Sequence, residues 1–302
     1  MSLRVTPSMM HLQLSRNLNR NLTQMDSLQD QLTTGRKINK PSDDPVGITY
    51  ALRYRTELAS NEQYQKNADS AHSWLDFNDT VLGQAGDVLQ RVKELTVQGS
   101  NGTNPQVALD NINNELTELK GQLIDIANSK VNGKYIFNGQ TFDKLPYDKT
   151  AAGFDAKTVV TDSGDISYAV GVGVTLPVNV SGNEVFGNPG DKDNVFAVLD
   201  NIISNFASGD QAAASAQMEN LESSISKILN ARSEVGAKVN RVELMQNRLD
   251  DLEINLTDMQ SKTEDADFDK LLIDSKVNEN IYQASLSVGA KVISPSLVDF
   301  LR

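Results

Sequence analysis

Side chains able to do acid–base, metal or nucleophilic chemistry are sparse in this 302-residue chain. There are two histidines, His11 and His72, and no cysteine. Neither histidine has a second histidine or a cysteine at ligand spacing, so a surface or packing role is expected of both. The missing cysteines remove disulfides, thiolate metal sites and cysteine nucleophiles together. The acidic pairs Asp43-Asp44, Asp250-Asp251 and Glu264-Asp265 lack the alternating oxygen ligands and glycine of a calcium loop. They read as helix caps and solvated faces. Gly171-Val172-Gly173 is half of a phosphate-binding motif, but no helix start follows it. It reads as a strand with glycine for close packing. Asn101-Gly102-Thr103 spells a glycosylation sequon of the kind chance supplies at this Asn and Thr content. No catalytic constellation, cofactor site or metal site emerges, and an enzyme is not expected.

The chain is rich instead in helical periodicity. Leu14, Leu18, Leu22, Met25, Leu28 and Leu32 recur in steps of three and four. So do Val235, Val239, Val242, Met245, Leu249, Leu252, Leu256 and Met259. Each set forms a narrow stripe on one helical face, and such a stripe needs another helix to cover it. The two ends also differ in charge. Residues 1–40 carry six bases against two acids, a balance of +4; residues 243–279 carry four bases against eleven acids, a balance of −7. Complementary ends of this kind can steer pairing within or between chains. The net charge of −12 repels nucleic acid and anionic membranes, so no nucleic-acid partner is expected. No stretch approaches ~20 apolar residues, which argues against membrane insertion, and no cleavable signal peptide is expected.

The elements that carry these stripes divide the chain into five expected segments. Residues 1–44 give a first helix from about Pro7 to Thr34, stopped by Gly35, and a polar connector. Residues 45–132 form a helical hairpin: Asp44 caps it, Pro45 opens it, residues 99–105 turn it, and Asn132-Gly133 ends it. Residues 133–192 hold frequent glycines and β-branched runs at Thr158–Thr161 and Val170–Val180, and read as a β-rich outer domain. In it, Tyr135 to Phe137 is a β-rich run closing on an Asn138-Gly139 turn. Residues 193–242 return as helices, uninterrupted from Gln211 onward. Residues 243–302 are C-terminal helices, the last from Asp265 to Lys291 with Ile273, Val277, Ile281, Ala284 and Val288 on one face. The fold class is mainly α with a small β insert: an elongated antiparallel helical bundle or coiled coil made by both ends and capped by the β-rich part.

Several local motifs then converge. Leu32 to Asn39, followed by Asp43-Asp44-Pro45-Val46-Gly47, resembles the N-terminal signature of bacterial flagellins and hook-associated proteins. Ala231-Arg232-Ser233-Glu234-Val235-Gly236-Ala237 with Asn240-Arg241 resembles the C-terminal signature, which Glu264 to Asp267 and Ser296 to Leu301-Arg302 extend. Arg4-Val5-Thr6, Pro41 to Pro45, and Gly133 to Gly139 with Tyr135, Phe137 and Gly139 resemble the hook–filament junction branch of that superfamily more than the bulk filament subunit.

The resemblance implies a structural component of the bacterial flagellum that adapts hook to filament. It implies flagellin, another hook-associated adapter and further copies of the chain as partners, with an export chaperone. It also implies export without a cleavable signal peptide, through the flagellar type III channel, to an extracellular position. The self-assembly interface is then expected at Leu14, Leu18, Met25, Leu28 and Leu32 and at Leu249, Leu252, Leu256, Met259, Ile273, Val277 and Ile281. Leu18, Met25, Leu28 and Leu32 would meet Leu249, Leu252, Leu256 and Met259, within or between subunits. Two alternatives stay open: a minor flagellin, or a carbohydrate- or receptor-binding module on a helical stalk. In the second, Tyr135, Phe137, Tyr147, Phe154 and Tyr168 would offer stacking surfaces instead of filling a small core.

Overall fold

The structure, a computed structural model, describes residues 7–151 and 153–293. Leu301 and Arg302 of the C-terminal signature and the opening Arg4-Val5-Thr6 lie outside them. The chain forms two compact units, one from Met1–Ser60 with Leu252–Arg302 and the other from Asn61–Asp251.

The first unit holds α1 (Pro7–Thr34), the start of α2 (Pro45–Gly99), the end of α7 (Met218–Glu264) and α8 (Phe268–Ile293). Gly35 stops α1 with φ +69°, its N–H donating to the Gln31 carbonyl at 2.8 Å. This is the left-handed cap that glycine makes without a Cβ penalty. α2 opens as expected: Asp44 Oδ1 accepts from the N–H groups of Val46 and Gly47 at 3.0 and 2.9 Å, and Pro45 takes the first position, where no donor is needed. α8 starts at Phe268, three residues later than periodicity suggests. The residues between α7 and α8 turn aside to pair with the connector. Ala266 N–H donates to Gly35 O at 3.0 Å, and Lys37 N–H to Glu264 O at 2.8 Å. Asp267 then caps the new helix through Lys270 N–H at 3.1 Å.

The second unit is an antiparallel helical bundle. The pairs Asn61–Leu249, Asp69–Gln246, Asp79–Arg232 and Lys93–Glu222 run in opposite senses along α2 and α7. α3 (Gln106–Ala127) and α5 (Val195–Ala207) are likewise antiparallel, through Gln106–Phe206, Asn113–Ile203 and Lys120–Asp200. Leu75, Leu82, Leu89, Leu109, Leu116, Leu123, Leu199 and Leu221 fill the space between them, and each is buried. Short helices α4 (Gly182–Phe186) and α6 (Gln211–Ala216) complete the unit. The helix expected from Gln211 onward is interrupted once, at Gln217.

Residues 133–192 depart most from expectation. The described residues form two antiparallel pairs only, β1 (Lys130–Val131) with β2 (Lys134–Tyr135) and β3 (Ser167–Gly171) with β4 (Val174–Pro177). α3 ends at Ala127 because the chain enters the first hairpin. Asn132 and Gly133 are its turn, at φ +50° and +79°, the left-handed pair that favours Asn-Gly. Asn138-Gly139, expected to be that turn, opens a 3-10 turn instead. Val172-Gly173 is the second turn, not a strand interior. Thr158–Thr161 forms no strand. The segment also lacks a core of its own. Tyr147 and Phe186 meet Phe196 of α5 at 5.2 and 5.7 Å between ring centroids, and Phe137 packs edge-on against Phe186 at 5.4 Å. Phe137 and Tyr147 are therefore core residues, and Tyr135, Phe154 and Tyr168 are half-buried. The stacking surface imagined for a glycan is not assembled.

Candidate assembly surfaces

The site of interest is a set of helical faces in the first unit. α8 lies against α1. The positions it shields are Leu271, Asp274, Ser275, Asn278, Glu279, Tyr282, Ser285 and Gly289, spaced for one face of a helix. Most of these are small or polar. At Gly289 the helices close in, and a Cβ there would meet Leu14 Cδ2 at 2.7 Å. On α1, Leu14, Leu18, Met25, Leu28 and Leu32 are all half-buried.

The apolar stripe of α8 thus points away from its partner. Ile273, Val277 and Ile281 are 63, 48 and 45% exposed. Leu252 and Met259 of α7 are exposed as well, whereas Leu256 is buried. Leu249 belongs to the core of the second unit. α1 pairs with α8, because Leu249 is already covered and α8 is brought beside α1 by the α7–α8 turn.

That turn is fastened by a buried carboxylate. Glu264, only 1% exposed, receives Arg36 Nε at 2.5 Å and Arg55 Nε at 3.0 Å; a second Arg55 nitrogen also contacts it. Lys37 Nζ donates to Lys262 O at 2.9 Å alongside. Glu264 was expected on a solvated face or at a cap, and that reading is corrected. Its guanidinium partners stand 228 and 209 residues away in sequence, and nothing local announces them. Arg36 of the basic end and Glu264 of the acidic end meet at this node.

The other motif positions have definite local duties. Asp43 Oδ2 accepts from Asn39 and Lys40 N–H at 3.0 and 2.8 Å, which holds its carboxyl below the ordinary value. Lys40, paired with Asp30 at 2.8 Å, is raised above its own. A Cβ on Gly47 would strike Ile38 Cδ1 at 2.6 Å. A Cβ on Gly139 (φ +47°) would lie 2.5 Å from Asp162 O. Arg232 forks onto Asp79 at 2.7 and 3.1 Å. Gly236 faces open space, and Asn240 and Arg241 are exposed. His11 is exposed; His72 Nδ1 donates to Asp76 Oδ2, 2.9 Å away.

The family comparisons fall on these same segments. Residues 5–141 match the bacterial flagellin N-terminal helical region, and residues 199–301 match the bacterial flagellin C-terminal helical region. Flagellar hook-associated protein 3 of Salmonella typhimurium is 25% identical over 99% of this chain and 100% of its own length. The chain belongs to the flagellin superfamily, among its hook-associated proteins. A flagellin of Bacillus subtilis is 27% identical over 87% of each chain. The crystal structure of the flagellar junction protein FlgL from Legionella pneumophila has the same fold, with a TM-score of 0.56 at 18% identity over 73% of this chain and 100% of that one. In this hook-associated protein the two matched regions leave residues 142–198 between them. They also contain every residue of the Arg36–Glu264–Arg55 node.

Proposed function

We infer that this hook-associated protein is a structural subunit of the zone between flagellar hook and filament, where it adapts one lattice to the other. The observation that carries the reading is the orientation of α8. Its small and polar face is used within the chain, and Ile273, Val277 and Ile281 are left open. Contiguous apolar residues on a helix that already has one partner mark a surface for more helices. The α1–α8 pair serves as a preformed unit that docks against the same pair in neighbouring copies. Leu252 and Met259 extend its surface. Flagellin on one side and another hook-associated adapter on the other are the axial neighbours. Before assembly, an export chaperone escorts the chain, which travels through the flagellar channel to the cell exterior. The full-length likeness to hook-associated protein 3 favours this role over that of a filament flagellin. Fluorescently labelled protein at the hook–filament boundary would support it, and label distributed along the filament would overturn it.

A further inference from the structure

Three Asn-Gly pairs occur in the chain, at Asn101-Gly102, Asn132-Gly133 and Asn138-Gly139, and the fold treats them differently. Glycine after asparagine leaves the following peptide nitrogen unshielded. That nitrogen can therefore attack the asparagine side-chain carbonyl. Whether it does so depends on the freedom of the side chain and on the electrophilicity of the carbonyl.

We propose that Asn101 is a built-in site of spontaneous deamidation, converting the turn between α2 and α3 to an aspartyl or isoaspartyl form as the protein ages. Asn101 and Gly102 are exposed. Thr103 presents two donors to Asn101 Oδ1, its hydroxyl at 3.0 Å and its N–H at 3.4 Å. Both draw electron density from Cγ, as donors aimed at a developing oxyanion do. Among the described residues the Gly102 N–H has no hydrogen-bond partner, so it is open to hydroxide. Hydroxide takes the Gly102 amide proton, and the nitrogen bonds to Asn101 Cγ. The Cγ–Nδ2 bond then breaks, and ammonia leaves with a proton from water. Water opens the cyclic imide at either carbonyl, giving a side-chain carboxylate or a main chain longer by one methylene.

Asn138 carries the same dipeptide in a locked state. Its Nδ2 donates to Thr141 O and Lys144 O at 3.0 and 3.1 Å, and its Oδ1 accepts from Asp162 N at 3.2 Å. It is buried, and Gly139 is pressed against Asp162 O. Reaction there requires local opening, and each factor of ten in the opening equilibrium corresponds to about 1.4 kcal/mol. Asn132 is intermediate, exposed but fixed in a hairpin turn between the paired Val131 and Lys134. The consequence at Asn101 is local. A carboxylate there adds negative charge just beyond the C-terminus of α2, the helix end where negative charge is disfavoured, and the longer isoaspartyl chain strains the turn closed by Asn104 N–H on Asn101 O at 3.0 Å.

The test is incubation of the intact folded protein at mildly alkaline pH, followed by proteolysis and mass spectrometry that separates Asn, Asp and isoAsp at the three positions. The proposal expects products at Asn101 to form roughly tenfold faster than at Asn138 or more, and the three rates to converge in denaturant. Gly102→Ala should slow the native reaction without disturbing the fold, because the added Cβ meets only Gln211 Oε1, at 3.7 Å. Thr103→Val, which removes one donor, should slow it less. Equal native rates at Asn101 and Asn138, or no slowing in Gly102→Ala, would overturn it.

Discussion

Arg36 Nε and Glu264 Oε1 lie 2.5 Å apart, joining the connector after α1 to the last residue of α7. Arg55 holds the same carboxylate from the first turns of α2. Two helices and a connector of the first unit are thus tied at one buried anion, and the Gly35–Ala266 and Lys37–Glu264 backbone bonds lie beside it. Removing one partner of a buried ion pair typically costs about 3–5 kcal/mol, because the other charge stays uncompensated. Here both arginines are more than a third exposed and can rehydrate, so the cost should be smaller.

Glu264→Gln should therefore destabilise the first unit by about 2–3 kcal/mol, with the second unit unaffected. Amide exchange resolved by peptide is the measurement. Faster exchange in residues 36–40 and in the first turns of α8, with unchanged protection in α3 and α5, is the expected pattern. Wild-type protection throughout would show that the node does not hold these segments together.

The same logic of close approach applies in the second unit. Gly99 ends α2 directly under Phe206, whose Cζ would lie 2.5 Å from an added Cβ. The ring is fully buried and cannot swing aside. Gly99→Ala should cost about 1–3 kcal/mol through overpacking, despite alanine's higher helix propensity. Urea unfolding followed through Trp74, which sits in the same core, would read a lowered midpoint.

Helices were legible in the sequence wherever an apolar stripe met a cap. Gly35, Asp44-Pro45 and the 99–105 turn placed α1, α2 and α3 because their signals are local. The strands were less so. Two Asn-Gly pairs lie six residues apart, and only the first has partners, Lys130–Val131 and Lys134–Tyr135, that can extend on both sides. At the second, Asp162 claims the backbone through Gln140 N–H at 2.7 Å and steers it into a 3-10 turn. The interface stripe on α8 was visible as periodicity. Which side of α8 would face α1 was not, because Gly289 and Ser285 carry no hydrophobic signal yet permit the closest approach. Glu264 was misread for a related reason: an acidic residue is assigned to solvent until its distant guanidinium partners are known.

Acid should loosen the connector. Asp43 is held below the ordinary aspartate value by the N–H groups of Lys40 and Asn39. A depressed folded-state pKa contributes stability that is fully present above the unfolded value of about 3.9 and is lost as pH falls through the folded value. The amides of Asn39 and Lys40 should therefore change chemical shift only below pH ~4. In Asp43→Asn that acid transition should vanish, while Lys40 keeps its Asp30 partner. A transition in these amides near neutral pH would contradict the assignment.

Assembly gives the most direct test of the outward stripe. Ile273, Val277 and Ile281 make their largest contributions only when another helix covers them, since about half or more of each is exposed in the single chain. Fully burying such a side chain contributes about 1.5–3 kcal/mol, so covering the exposed part of three should contribute several kcal/mol per subunit. The triple change to serine should leave the helix content and thermal midpoint of the free protein nearly unchanged. Export should continue, and the protein should fail to seat on the hook, releasing filament subunits into the medium. Val172→Ser supplies the control, since Val172 is 87% exposed at a hairpin tip and belongs to no stripe. If the triple variant seats and supports filament growth as well as Val172→Ser does, the α8 stripe is not the assembly surface.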